Sequence, residues 1–408
     1  MKPLATTPRQ MRRSGIRMIM DLAWQVPDAI HLEVGQPDFD TPEHIIEAGC
    51  RAARSGFTKY TPNAGIPSLR EAIVRKLKRR NGIEVTPDHV VATPGAVTAM
   101  ATSLLTLTEA GEEVLIPDPG WPNYEMAARA IGAVPVRYPL DPNADFLPDF
   151  AALEGLVTER TKVLMTNTPS NPTGAVFPEA VVRRLVEFAG EYDLYLISDE
   201  VYEDIVFEGK HVSAAPFDRD GRVISVFGFS KSYAMTGWRL GYAVAPLPIA
   251  EVITKMQEPF VSCPVAISQK AAEAALEGPQ DAVREMCAAY RRRRDAAVRI
   301  LKEHDLFTYS PRGAFYLLMD ISGCGKDSYT FAKDLLREKK VAVAPGGTFG
   351  EIGERYIRIS LATAEEHVVE GLTRVCTYIK ASEKHLPQRT QSAQSGKTPE
   401  VRSQKPDN

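Results

Sequence analysis

Lys231 stands where an apolar run, Val223–Phe227, gives way to a turn of small residues in the stretch Ser225–Gly241, SVFGFSKSYAMTGWRLG. Eight residues later comes Arg239, then Gly241 and a second apolar run, Tyr242–Ala245. Lysine is seldom buried without a partner or a task. One reading is a lysine that snorkels out of a turn. The other is an amine whose pKa falls on desolvation, so that its neutral form attacks a carbonyl. Arg239 would then hold an anion that travels with the carbonyl compound. Other polar residues at the ends of apolar runs bear on the choice. Asp199 and Tyr202 follow Leu194–Ser198, Asn171 follows Thr161–Thr166, Trp121 follows Glu113–Ile116, and Gly95-Ala96-Val97 follows Val90–Thr93.

An aldehyde cofactor with a phosphate and a ring nitrogen would use each of these groups. Lys231 would take the aldehyde as an imine. A helix opening at Gly95-Ala96-Val97 would offer backbone amides and a favourable dipole to the phosphate, with Ser230 and Arg239 adding a hydroxyl and a charge. A protonated ring nitrogen needs a buried carboxylate if it is to act as an electron sink, and Asp199 supplies one. Asn171 and Tyr202 can donate to a ring oxygen, and Trp121 can lie on the ring face. Taken singly, Asp199 could be a helix cap, Trp121 a core residue and Asn171 a turn former. Their occurrence together at successive strand ends is harder to explain as packing.

The elements that must position these residues follow from the hydrophobic pattern. Apolar runs of four to six residues alternate with amphipathic stretches between residues 88 and 228, which predicts a mostly parallel sheet covered by helices on both faces, an α/β fold. Ligands in such folds sit beyond the strand ends. A long helical region is expected over 247–303, followed by a smaller α+β unit with strands at 315–319, 341–343 and 356–359. The basic tract of the helix expected over 68–81 and the run Arg291-Arg292-Arg293-Arg294 read as solvated faces. The resulting division is an N-terminal arm with part of a small domain (1–45), a large domain (46–285), a small C-terminal domain (286–382) and a polar tail (383–408) with the composition of a disordered segment. The chain has 408 residues, 44% of them hydrophobic, and a formal net charge of −3. That balance argues against nucleic-acid or membrane-surface partners. Five scattered cysteines, none in a CxxC spacing, fit a reducing, cytoplasmic setting with no metal site. No stretch has the length and apolarity of a membrane span.

The motifs Gly35-Gln36-Pro37-Asp38-Phe39-Asp40-Thr41-Pro42, Tyr60 with Pro62-Asn63-Ala64-Gly65, Asn171-Pro172-Thr173-Gly174, Ser198-Asp199-Glu200-Val201-Tyr202, Ser230-Lys231 through Gly237-Trp238-Arg239-Leu240-Gly241, and Arg358-Ile359-Ser360 occur in this order. With them the chain resembles the class I/II pyridoxal-phosphate aminotransferases of fold type I, in the bacterial aspartate and broad-specificity branch, over about residues 10–380. The resemblance implies a seven-stranded large domain, pyridoxal 5′-phosphate as cofactor, and ping-pong transfer of an amino group between an L-amino acid and a 2-oxo acid. It makes Lys231 the Schiff-base lysine and general base, and Asp199 the partner of the ring nitrogen. Asn171 and Tyr202 become ligands of the ring oxygen and Trp121 the stacking residue. Gly95, Ala96, Val97, Ser230 and Arg239 become the phosphate cradle. Tyr60 would reach the phosphate of a neighbouring subunit, which implies a homodimer. Arg358 would grip the substrate α-carboxylate, with Gly35, Ile16, Asn171 and Trp121 also around the substrate. Three features depart from relatives. Gly228 stands where a small polar residue is common. Val97 replaces the lysine that reads a distal carboxylate in acidic-substrate members, which favours a neutral or aromatic side chain, or broad specificity. Ile16 lies in the arm that closes over substrate, near Arg12, Arg13 and Arg17, which could still supply an acidic reader. A C–S lyase on the same fold would use the same cofactor residues. A regulator with an aminotransferase-like domain would need an appended DNA-binding domain for which the sequence shows no room.

Overall fold

The structure, a computed structural model, describes residues 2–11 and 13–383. The polar tail expected from residue 383 therefore lies almost entirely outside the described residues. The arm contributes helices α1 (Thr6–Gln10) and α2 (Gly15–Ala23), and leads into β1 (Ile30–His31), α3 (Glu43–Arg54) and α4 (Pro67–Lys76). The alternating region follows with β2 (Val90–Thr93), α5 (Ala96–Leu107), β3 (Glu113–Asp118), α6 (Pro122–Ala130), β4 (Val134–Asp141), β5 (Leu147–Pro148), α7 (Phe150–Glu154), β6 (Thr161–Asn167), α8 (Glu179–Glu191), β7 (Tyr195–Asp199), β8 (Val223–Gly228), α9 (Phe229–Ser232) and β9 (Gly241–Val244). The helices α10 (Leu247–Gln257), α11 (Ala266–Glu277) and α12 (Asp281–Glu303) come next. The chain closes with β10 (Tyr316–Asp320), α13 (Ser328–Lys339), β11 (Val341–Ala342), β12 (Ala344–Pro345), β13 (Tyr356–Ser360) and α14 (Glu365–Glu383).

The large sheet has the order β2-β9-β8-β7-β6-β3-β4-β5. Seven of its strands are those expected, and β5 adds a two-residue antiparallel pairing at the β4 edge. The pairs β8–β7, β7–β6, β6–β3 and β3–β4 are parallel, while β9 runs antiparallel to both β8 and β2. Parallel strands buried on both faces need continuous apolar runs rather than alternation, and this is what β6 and β7 carry: Leu164, Leu196 and Ile197 are fully buried. Each such side chain contributes about 1.5–3 kcal/mol on burial. A small antiparallel sheet, β10-β13-β12, holds the C-terminal part, and β1 pairs in parallel with β11, so the N-terminal segment is built into the same end of the molecule.

Two charge tracts differ from expectation. Lys76 is buried against Glu203 and Tyr242. Arg293 and Arg294 are buried on α12, Arg293 in a two-pronged pair with Asp38 and Arg294 bonded to the carbonyl of Pro311. Their partners come from segments remote in sequence, so neither tract could be sorted into wet and dry residues by helical period alone. No helix among the described residues is long and apolar enough to cross a membrane, and no cluster of His, Cys, Asp and Glu among them could hold a metal ion.

Candidate active site

Lys231 sits not on an open turn but on α9, a single helical turn following β8. Its Nζ donates to the carbonyl of Gly35 at 2.5 Å. That contact joins the Gly35–Thr41 loop to the lysine segment, and Thr41 reinforces it: its hydroxyl donates to the carbonyl of Ala234 and accepts from the Trp238 indole. Burial lowers the Lys231 pKa to about 8, helped by the charges of Arg358 and Arg239 and opposed by Asp199. An amine in that range is partly neutral near physiological pH, which a nucleophile or proton carrier requires.

Asp199 ends β7 and is buried. Its Oδ2 accepts from the Tyr124 hydroxyl at 2.7 Å and its Oδ1 from the Val201 amide at 3.3 Å. Burial raises its pKa to about 6, and the Tyr124 bond pulls the other way. Oδ1 thus keeps capacity for a stronger donor, and a cationic donor would return the carboxylate to its ionised form. Tyr124 was not expected from sequence. It lies three residues after Trp121, one helical turn on α6, and the two rings meet edge to face at 5.5 Å. The spacing was a signal, but one indistinguishable from packing.

Gly95 caps α5 with φ +84°, a left-handed conformation natural to glycine. A Cβ there would meet Arg239 Nη2 at 2.6 Å, so glycine is what lets the guanidinium approach the helix start. The first amides of α5, those of Ala96 and Val97, have no partner within a helix by its geometry. Arg239 has φ +52°, unusual for its type, and its Nη1 donates to the carbonyl of Thr236 at 2.8 Å. Ser230 precedes the lysine on α9. Arg239 thus stands at the start of α5, and its charge acts on Lys231. Gly228 has extended backbone, and a Cβ there would be in ordinary contact with Ala96 and Val201. The position has room for a side chain, so the missing hydroxyl is a choice of residue and not a demand of space.

Arg358 on β13 is 1% exposed. Its Nη1 donates to Asn171 Oδ1 at 3.0 Å, its Nη2 to the carbonyl of Glu33, and its Nε has no partner. The guanidinium carbon lies over the ring of Tyr316, at 4.3 Å, and over that of Phe349, at 5.1 Å. Because Asn171 gives its carbonyl oxygen to Arg358, its NH2 is the group left to donate. The backbone N–H of Asn171 donates to Asn167 Oδ1 at 2.7 Å. The Tyr202 hydroxyl meets that of Tyr316 at 2.9 Å, and burial holds the Tyr202 pKa well above its usual value, so it stays a neutral hydroxyl. Tyr316, Phe349, Glu33 and Asn167 escaped sequence reading because each sits in or beside a run that reads as core or turn.

The remaining expected residues differ in exposure. Trp121 is half-buried. Tyr60 is 92% exposed and Val97 38% exposed. Ile16 is half-buried on α2, whose start is seated by the Gly15 amide on Thr348 Oγ1 at 2.7 Å. Arg13 pairs with Asp21 at 2.8 Å and Arg17 is exposed. Arg12 lies outside the described residues.

A buried amine of lowered pKa, a buried carboxylate with spare capacity, a guanidinium at a helix start and an arginine with an unpartnered Nε are groups an α/β enzyme can turn on a carbonyl compound and a carboxylate. Comparison with known proteins makes the class definite. The family described as aminotransferase class I and II matches residues 27–375, and the chain belongs to it. It is 44% identical to an aspartate aminotransferase of Pyrococcus abyssi over 89% of this chain and 94% of that protein. It is 42% identical to aromatic-amino-acid aminotransferase 2 of Thermococcus litoralis, over 90% of this chain and 96% of the other. The structure of Thermus thermophilus aspartate aminotransferase with maleate superposes with a TM-score of 0.88 at 38% identity, covering 92% of this chain and all of that one. The protein is a pyridoxal-phosphate-dependent transaminase of fold type I, and its reaction follows the family's ping-pong course.

Proposed function

We propose that this transaminase accepts neutral and aromatic amino acids, or a broad set including them, in preference to aspartate alone. The observation that carries this is Val97. It stands exposed at the start of α5, where acidic-substrate relatives place a distal-carboxylate lysine, and it offers no charge. Of the arm's arginines, Arg13 is already paired with Asp21. One relative named for aromatic amino acids and one named for aspartate, at nearly equal identity, fit breadth.

The residues fit the cofactor. Lys231 would bond its aldehyde and Asp199 would face its ring nitrogen. Asn171 and Tyr202 would donate to its ring oxygen, and Trp121 would cover the ring. Gly95, Ala96, Val97, Ser230 and Arg239 would hold its phosphate. When bound, pyridoxal 5′-phosphate supplies an electrophilic carbon and an electron-accepting ring. The rest is done by this chain. Arg358, with Nε unpartnered and its plane fixed by two rings, takes the substrate carboxylate, and the backbone at Gly35 lines the same space. Lys231, with its pKa near 8, would take the proton from the substrate Cα and hand it to the carbon that had been the aldehyde, and carry it the other way in the second half-reaction. Asp199, oriented by Tyr124, keeps positive charge on the group it faces. Ile16, seated by the arm, excludes water.

Residues 46–285 form the cofactor-binding domain in this reading, with 286–382 and part of 1–45 the smaller one. Tyr60, projecting into solvent, serves the phosphate of a second subunit in a homodimer. The five scattered cysteines, none in a CxxC spacing, support a cytoplasmic setting. The test is a donor panel: holoenzyme is mixed with phenylalanine, tyrosine, leucine, alanine, glutamate and aspartate in turn, and conversion of the bound cofactor to its amine form is followed by absorbance. Neutral or aromatic donors should react at least as fast as aspartate. Reaction with aspartate and glutamate alone overturns the proposal, and release of pyruvate and ammonia without amino transfer would point to a lyase.

A further inference from the structure

The last residue of β3, Asp118, is a buried carboxylate whose contacts lie on the small sheet's side of the molecule. It accepts from the Glu351 amide at 2.9 Å and from the Ile352 amide at 3.2 Å, in the loop between β12 and β13. The same loop is held at a second point. The carbonyl of Phe349 accepts from Arg137 Nη1 on β4 at 2.9 Å and from the Gly120 amide at 2.8 Å. Arg137 is in turn fixed by Glu125 at 2.6 Å. Between the two anchor points lies Gly350, with φ +136°. A Cβ there would come within 2.1 Å of Asp118 Oδ1, so the close approach of carboxylate and loop admits only glycine.

The loop's buried ring, that of Phe349, lies over the guanidinium of Arg358. A planar guanidinium binds a carboxylate through two parallel hydrogen bonds only while its plane is held. Tyr316 meets the guanidinium from β10 within the small sheet. Phe349 meets it from the loop that Asp118 and Arg137 tie to the large sheet.

We propose that Asp118 and Arg137 form a clasp that positions Arg358 through Phe349, so that affinity for the substrate carboxylate is set partly at the end of β3. Asp118 and Arg137 are positioning residues and touch neither substrate nor cofactor. The inference rests on the reading of Arg358 as the carboxylate receptor. The clasp starts three residues before Trp121, so the segment that covers the cofactor ring and the loop that orients Arg358 are tied to one point.

The test compares holoenzyme with Asp118→Asn, Gly350→Ala and Arg358→Lys. Three quantities are read: KM and kcat for the best donor of the panel, the dissociation constant of 3-phenylpropionate (a carboxylate with no amino group), and the visible spectrum of the bound cofactor. Asp118→Asn and Gly350→Ala attack the clasp from opposite sides. Each should raise KM and the dissociation constant by roughly tenfold, as expected for a small misplacement of a binding group. Each should change kcat by less than about threefold and leave the spectrum alone. Arg358→Lys should raise both constants further. If Arg358→Lys raises them and both clasp variants do not, even with lowered melting temperatures, the clasp serves folding only and the proposal fails. If Arg358→Lys leaves them unchanged, the receptor reading fails and takes the proposal with it. Should Gly350→Ala not fold, Asp118→Asn decides.

Discussion

Lys76 at the end of α4 and Arg358 on β13 are both buried basic side chains, and they are satisfied in opposite ways. Lys76 has a carboxylate, Glu203, a hydroxyl, Tyr242, and the face of Phe227 at 4.4 Å. Glu203 is in turn shared with Asn81, and the neighbouring Asp204 pairs with Arg80. Every charged side chain in this group thus has an oppositely charged partner. Arg358 has only a side-chain amide and a backbone carbonyl, with no carboxylate in contact and its Nε unmatched. The Glu33 carboxylate acts on it through space, with no hydrogen bond between the two side chains. A buried charge that is not directly paired costs free energy, and a protein retains one where something else will complete it. Lys231 shows the same deficit: its hydrogen bond is to a carbonyl, and its strongest charged neighbours are cations. Burial alone therefore does not mark a working residue in this molecule. What sets Lys231 and Arg358 apart from Lys76 is that neither is paired directly with a carboxylate.

The contrast is broken most sharply by substituting one member of each group. Lys231→Ala should abolish the visible absorbance of the bound cofactor and cut turnover by about 10⁴-fold or more, since it removes both the bonding amine and the base. Its circular dichroism should be unchanged and its cofactor-free stability no lower than that of the parent. Lys76→Met should do the reverse. It strands Glu203 in a dry site, which should cost about 3 kcal/mol of stability in denaturant unfolding, while kcat/KM of the folded enzyme stays within about twofold. Loss of activity in Lys76→Met at full cofactor occupancy would erase the distinction between the two groups.

That distinction was only half legible in the sequence. Lys231, Asp199, Asn171 and Arg239 announced themselves because strand-forming apolar runs are easy to read and polar residues at their ends are conspicuous. The sheet followed from the same runs. The paired charges were misread: Lys76 and Arg293 sit in basic helical tracts, and their acids, Glu203 and Asp38, lie 127 and 255 residues away. Pairing at that distance leaves no trace in local period or composition. Tyr124 and Phe349 were missed for a related reason. An aromatic residue that orients a charge has the same pattern as one that fills a core, and only the fold shows which atom its edge or hydroxyl meets.

A gentler effect sharpens the comparison through pH. The folded pKa of Lys231, about 8, lies below its ordinary value of 10.5. In cofactor-free protein the unfolded chain therefore binds more protons between those values, and this residue makes stability rise with pH across that window. Below pH 8 the cost of enclosing the ammonium is felt in full. Lys231→Met removes it, so the cofactor-free variant should be the more stable protein at pH 7, with an advantage that shrinks as pH climbs from 8 to 10.5. The side chain keeps some contact with solvent, which screens the effect to on the order of 1 kcal/mol. Melting curves of the two proteins over that range measure it. A constant difference would mean that the amine at Lys231 is as well accommodated in its charged form as in water, and the deficit that separates it from Lys76 would be gone.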